Sequence, residues 1–252
     1  MLNDLERFAV HIEAMERMVA LMKADVARFS SGAPRREIVT GFSRFLSGQE
    51  PIAPLRARNY KAFAEGLWAS VENAGFADAA HMVVAREVYA GGASVSALGG
   101  AAAGADIGGG VAGATPRRAV LRANPVITGR AAPKWVHLEA ELEHRGVNTA
   151  ALELEMLASA EVNPLAGGFV PQETVFEATV TLRCFTDRKR FEDFRIAHLP
   201  LTTVPMKHRI AFRPDGMRPL SAYRRVVVLL ALPPRGAYAV NLYDFALLVA
   251  ES

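Results

Sequence analysis

The sequence is poor in the residues and patterns that usually announce a function. Its single cysteine, Cys184, excludes an intramolecular disulfide and favours a reducing compartment. That cysteine sits in an alternating apolar segment, which predicts a buried small hydrophobe rather than a nucleophile. No basic head, uncharged apolar run and small-residue cleavage site open the chain, since Asp4 and Glu6 stand there instead, and synthesis and retention in the cytoplasm is the expectation. No charge-free apolar run of about eighteen residues occurs, which argues against an ordinary membrane-spanning helix.

Motifs of chemistry are equally scarce. A GxSxG elbow, an SxxK pair and a GxxxxGK[ST] phosphate loop are all missing, and the six histidines (His11, His81, His137, His144, His198, His208) lack HxH or HExxH spacing. Neither a metal nor a cofactor is therefore expected. Only His137, beside Trp135 and a run of glutamates, stands out as a candidate site residue.

What is present begins with a period of seven. Leu5, Phe8, Ile12, Met15, Val19, Met22, Val26 and Phe29 follow one another at alternating intervals of three and four residues, a heptad seam suited to a coiled coil or to packing within a bundle. Pro34, Ile38, Phe42, Phe45 and Leu46, stopped by Gly48 and Pro51, suggest a second helix. Tyr60, Phe63, Leu67 and Val71 suggest a third over 57–73, and Val83, Val84 and Val88 a fourth over 76–90. Residues 1–90 thus read as a helical bundle or coiled-coil domain.

Residues 91–115 are almost all Gly, Ala and Ser and read as a connector. Gly108, Gly110 and Gly113 match GxGxxG, but no Val/Ile-rich strand precedes them and Thr115-Pro116 follows in place of a helix. Gly100, Gly104 and Gly108 have the spacing of closely packed membrane helices, a use opposed by the charge of Asp106.

From Pro116 the period becomes two. Val136–Leu142, Leu152–Met156, Phe176–Cys184 and Met206–Phe212 alternate apolar with polar residues, and the near-continuous apolar runs Val226–Leu232 and Ala237–Val249 look like central strands. The fold class expected is α+β in separate parts: a helical domain at 1–90, the connector at 91–115, and an antiparallel β-sandwich or jelly-roll-like domain at 116–252.

Charge is uneven along that second part. Between Arg183 and Arg225 eleven basic residues face four acids, and Arg188, Lys189, Arg190, Lys207, Arg209 and Arg213 form a candidate basic surface. Aromatics are not interleaved with these charges, which argues against nucleic acid. Glu139, Glu141 and Glu143 share one strand parity and Glu153 and Glu155 another; a strand carrying Lys207, Arg209 and Arg213 is expected to balance them in preference to a bound cation. Trp135, Tyr238, Tyr243 and Phe245 could line a sugar-binding face, although core packing explains the last two equally well.

With no catalytic pattern, the leading expectation is a non-enzymatic structural or interaction protein, a homo-oligomer or a subunit of a larger assembly such as a phage-like capsid, tail or spike. The alternatives are a β-sandwich module that binds carbohydrate or another anionic ligand, and a membrane-active protein using the glycine-rich segment.

Overall fold

The computed structural model describes residues 35–72, 80–89, 118–127, 133–162, 176–234 and 237–250. The heptad residues Leu5 to Phe29 and the Gly/Ala-rich stretch 91–115 lie outside them. Glu37–Val249 forms one compact unit; a second, Met1–Arg36 with Ala250–Ser252, falls almost wholly outside the described residues.

The strands are β1 (Arg35–Ile38), β2 (Ile52–Ala57), β3 (Ala62–Ala64), β4 (Leu67–Val71), β5 (Ala80–Tyr89), β6 (Arg118–Ile127), β7 (Val136–Glu141), β8 (Leu152–Val162), β9 (Phe176–Phe185), β10 (Phe191–Leu201), β11 (Met206–Phe212), β12 (Arg225–Leu232) and β13 (Tyr238–Ala250). One helix, α1 (Gly41–Ser47), lies among them. The strands build a seven-stranded sheet, ordered β11-β8-β13-β6-β5-β2 with β1 on β13, and a six-stranded sheet, ordered β10-β9-β12-β7-β4-β3. The pairings between adjacent strands along both orders are antiparallel.

The α+β expectation is therefore corrected: the described chain is an antiparallel β-sandwich throughout. In Leu67–Val71 the apolar residues that enter the core are Leu67, Ala69 and Val71, a period of two. Gly66 (φ 65°) and Tyr60 (φ 59°) occupy left-handed conformations that a helix cannot contain. Over 80–89 the residues that enter the core, Ala80, Met82 and Val84, again alternate. β4 and β5 pair with β7 and β6, so this stretch supplies strands to both sheets instead of a separate helical part.

Of the second expected helix, Gly41–Ser47 remains. Thr40 caps it, its hydroxyl accepting from Ser43 N–H at 3.0 Å while Ser43 Oγ accepts from Thr40 N–H at 3.0 Å. Phe42 packs on Phe245 of the seven-stranded sheet with ring centroids 4.8 Å apart. Gly41 lies against the backbone of Gly66, next to β4 of the other sheet. Arg86 braces the far end of α1, donating to Phe45 O (2.9 Å) and Glu50 O (2.7 Å).

The core lies between the sheets. In β12 alternate residues Val226, Val228, Leu230 and Leu232 enter it, as do Leu138 and Ala140 of β7, Ala178, Val180 and Leu182 of β9, and Val240, Leu242, Phe245 and Leu247 of β13. Each large side chain so buried contributes about 1.5–3 kcal/mol. Both apolar runs read as central strands are central, β12 between β9 and β7 and β13 between β8 and β6. Cys184 is buried, and burial pushes its thiol up to about 12, as expected of a packing residue.

Candidate ligand-binding face

The outer face of the six-stranded sheet follows from its register. One row across it reads Arg195, Thr181, Leu229, Glu139, Trp68 and Ala62 from β10 to β3; the next reads His198, Thr179, Ala231, His137 and Ser70. On the other side of the first row stand Asp193, Arg183, Val227 and Glu141. Val227 and Leu229 are buried yet do not belong to the core between the sheets. They form an apolar floor flanked by long polar and aromatic side chains.

Glu139 lies at the centre and is only 8% exposed. Trp68 Nε1–H donates to its Oε2 at 2.6 Å, and the buried Ser70 hydroxyl donates to its Oε1. Both donors are neutral, and among the described residues Glu139 forms no ion pair. A carboxylate taken this far from water needs such bonds, and each bond to a charged group is worth about 1.5–3 kcal/mol.

Two cations of the face, Arg183 and Arg225, are by contrast matched by carboxylates. Arg183 holds Asp193 through two bonds, Nε–Oδ1 2.8 Å and Nη2–Oδ2 2.7 Å, and stacks on Phe191 at 4.3 Å. The Asp193 carboxylate raises the Arg183 pKa further, keeping the guanidinium charged. Arg225 pairs with Glu141 (Nε–Oε1 3.3 Å) and lies 4.8 Å over the Trp68 ring and 5.5 Å from Phe185. Arg195, on the edge strand, contacts His198 Nε2 at 3.4 Å, and His198 Nδ1 meets Thr179 Oγ1 at 3.0 Å. Burial lowers the His137 pKa, opposed by Glu139, so its ring is held neutral near pH 7 with a nitrogen free to donate or accept.

The sequence singled out His137 and the neighbouring glutamates, and the structure sets His137 and Glu139 together on this face. It does not bring the four suggested aromatics onto one surface. Tyr238 is buried against Phe176 (4.5 Å) and Phe245 against Phe42, while Tyr243 belongs to the seven-stranded sheet and meets Ser159 Oγ at 3.2 Å. Trp135 precedes β7. Trp68, Ser70 and Arg183 were missed as a group because strands distant in sequence contribute them, and only the register joins them.

The basic residues divide. Arg188, Lys189 and Arg190 occupy the exposed β9–β10 turn, where Asp187 accepts from the backbone N–H groups of Lys189 (2.7 Å) and Arg190 (2.8 Å). Lys207 and Arg209 stand on β11 at the edge of the other sheet and pair with β8, Lys207 with Glu155 at 3.2 Å and Arg209 with both Glu155 (3.2 Å) and Glu153. The acidic strand around Glu153 is thus balanced by a basic one, but that strand does not stand between the two acidic strands: it is an edge beside β8 alone, and Glu139 and Glu141 belong to the other sheet. Arg213 is exposed just past β11. Among the described residues no group of His, Cys, Asp and Glu is arranged to hold a metal ion.

A concavity of about 620 Å3 lies elsewhere, where α1 and β1 meet β13. Leu46, Leu157, Ala119, Val39 and Phe245 supply its apolar wall, and Glu37, Asp244 and Tyr243 its polar one. Burial, then the nearby Asp244 charge, raises the Glu37 pKa against an opposing hydrogen bond from Ser43.

The fold is a two-sheet antiparallel β-sandwich. No family model matches the chain, and no curated protein matches it by sequence. Solved structures resemble it distantly. The apo form of a cyclase from Fischerella sp. has a TM-score of 0.44 at 12% identity, over 86% of this chain and 98% of that one. The family 11 carbohydrate-binding module of a cellulosomal cellulase of Clostridium thermocellum has 0.42 at 6%, over 79% and 96%. The enzymatically active domain of tailspike protein 4 of bacteriophage CBA120 has 0.40 at 7%, over 73% of this chain, which spans only 20% of that one. Likeness at this level bears on neither ligand nor activity.

Proposed function

We propose that this protein is a carbohydrate-binding β-sandwich module that takes a neutral glycan on the outer face of its six-stranded sheet and does not transform it. The observation that carries the reading is Glu139, a carboxylate held at the centre of an outward face by two neutral donors, beside an indole and a neutral imidazole. Sugar rings offer apolar C–H faces and paired hydroxyls, and they are met by aromatic surface together with fixed acceptors and donors.

Charge favours an uncharged sugar over an acidic one. Arg183 and Arg225 are taken up by Asp193 and Glu141, and Glu139 would repel a uronate. The same pairing supports a binder over a glycoside-cleaving enzyme, which uses two carboxylates in acid, base or nucleophile roles. On this face the carboxylates beside Glu139 are already paired with arginines. The assembly reading depended on the heptad seam, and the described residues give it no support.

The test is affinity electrophoresis and calorimetry against soluble neutral β-glucan, xylan and a polyuronate. Binding to a neutral polymer that persists at high salt and weakens in Glu139→Gln and Trp68→Ala supports the proposal. Binding to the polyuronate alone, abolished by salt, would move the site to the exposed Arg188–Arg190 turn.

A further inference from the structure

Among the described residues Tyr60 is the only non-glycine with positive φ, at 59°. Left-handed backbone costs an L-residue with a Cβ energy, and a bulky side chain there is uncommon. The tyrosine gains little packing in return, being 67% exposed. A strained, exposed aromatic is a poor device for stability.

The strain is imposed from both sides. Lys61 N–H donates to Arg58 O at 3.0 Å, closing a four-residue turn with Tyr60 third. A positive φ at that position is the type II requirement, usually answered by glycine or asparagine. Asparagine is present one residue earlier, but its amide is engaged: Asn59 Nδ2 donates to Val71 O (2.7 Å) and its Oδ1 accepts from Val71 N–H (3.0 Å). Tyr60 N–H then donates to Ala69 O at 3.2 Å. The turn is thereby locked to β4, the strand that carries Trp68 and Ser70.

The Tyr60 phenol is the least of the influences that raise the Arg183 pKa, after Asp193 and Glu139. Arg183 is on β9, three strands from β4 and so roughly 14 Å away in backbone terms. Ala62, two residues on, faces Trp68 in the β3–β4 register, so the turn stands at the β3 edge of the sheet that carries Glu139.

We propose that Tyr60 is the stacking platform of the glycan face, held by the Asn59 clamp in a conformation that sacrifices stability to set its ring across the sheet. This rests on the carbohydrate reading above and adds the residue that would grip the apolar side of a pyranose ring. Strain at an exposed side chain persists where it serves binding.

The experiment measures both melting and affinity, using the neutral polymer bound by the wild-type chain. Tyr60→Gly removes ring and strain together: its melting temperature is expected at or up to about 4 °C above wild type, with affinity down roughly tenfold or more. Tyr60→Ala loses the same affinity without the gain in melting temperature, and Tyr60→Phe restores most of the binding. Unchanged affinity in Tyr60→Gly, with Glu139→Gln still impaired, overturns the role of Tyr60 and leaves the face standing. A fall of several degrees in Tyr60→Gly makes the residue structural and also overturns it. A wild-type chain that binds none of the neutral polymers overturns both readings.

Discussion

Trp68 Nε1 stands 2.6 Å from Glu139 Oε2, while Ser70 donates to the other oxygen of the same carboxylate. β4 and β7 pair so that Trp68 faces Glu139 directly and Ser70 faces His137. Removing the carboxylate leaves a buried hydroxyl and an indole N–H without their acceptor. Glu139→Ala is therefore expected to cost about 1–3 kcal/mol, and Glu139→Gln less because its amide oxygen still accepts. Denaturant unfolding followed by tryptophan fluorescence reads both, and an undiminished midpoint in Glu139→Ala would contradict this account of the face.

A second prediction concerns the concavity beside α1. Burial and then Asp244 raise the Glu37 pKa, so folding disfavours its charged form. A carboxyl raised in this way costs stability above its folded pKa, and the cost is relieved as pH falls through that value and the group protonates. Glu37→Gln should therefore be slightly more stable than wild type at pH 7, with the difference vanishing in mildly acidic buffer. Asp244→Asn should narrow the same pH window. Melting curves of the three proteins across that range check the sign.

Close packing at the end of the sandwich gives a third. A Cβ on Gly41 would meet the carbonyl oxygen of Gly66 at 2.1 Å and its carbon at 2.6 Å, both backbone atoms that cannot rotate aside. Gly41→Ala must push α1 away from β4 and is expected to destabilise by about 1–3 kcal/mol. An alanine variant with wild-type stability would mean that the helix is not seated as described.

The fourth distinguishes structural from binding charges. Glu153 is 5% exposed and pairs with Arg209, which is half-exposed. Arg209→Ala, which removes the pairs with both Glu153 and Glu155, should cost about 1–3 kcal/mol, and Glu153→Gln in that background should recover part of it. A double-mutant cycle measures the coupling. Neither change should alter glycan affinity, because β11 lies in the other sheet.

The fold is legible in the sequence to different degrees along the chain. From Val136 onward the alternation is clean, and β7, β8, β9, β11, β12 and β13 fall on segments where apolar residues stand at every second position or run continuously. Between 52 and 89 the strands are short or carry Ala, Met, Trp and Arg among the valines. Spacings such as Phe63, Leu67, Val71 imitate a helical stripe. Nothing local reveals that Gly66 and Tyr60 adopt left-handed backbone, which is what turns that stripe into strands. Edge strand β10 was invisible because its residues are largely exposed and a register shift between Arg195 and Ala197 breaks its period.

The site was legible in part. His137 and Glu139 share a strand and could be flagged together, whereas Trp68, Ser70, Arg183 and Tyr60 reach the face from other strands and one turn. Long-range register assembles such a site, and a single sequence does not encode it in any local spacing.

The most direct test of the account is calorimetric titration of the full chain with a soluble neutral polysaccharide and with a polyuronate, each at low and high salt. Binding to a neutral polymer, insensitive to salt, is expected, with the polyuronate bound weakly or not at all. Salt-sensitive binding to the polyuronate with none to the neutral polymers would contradict it.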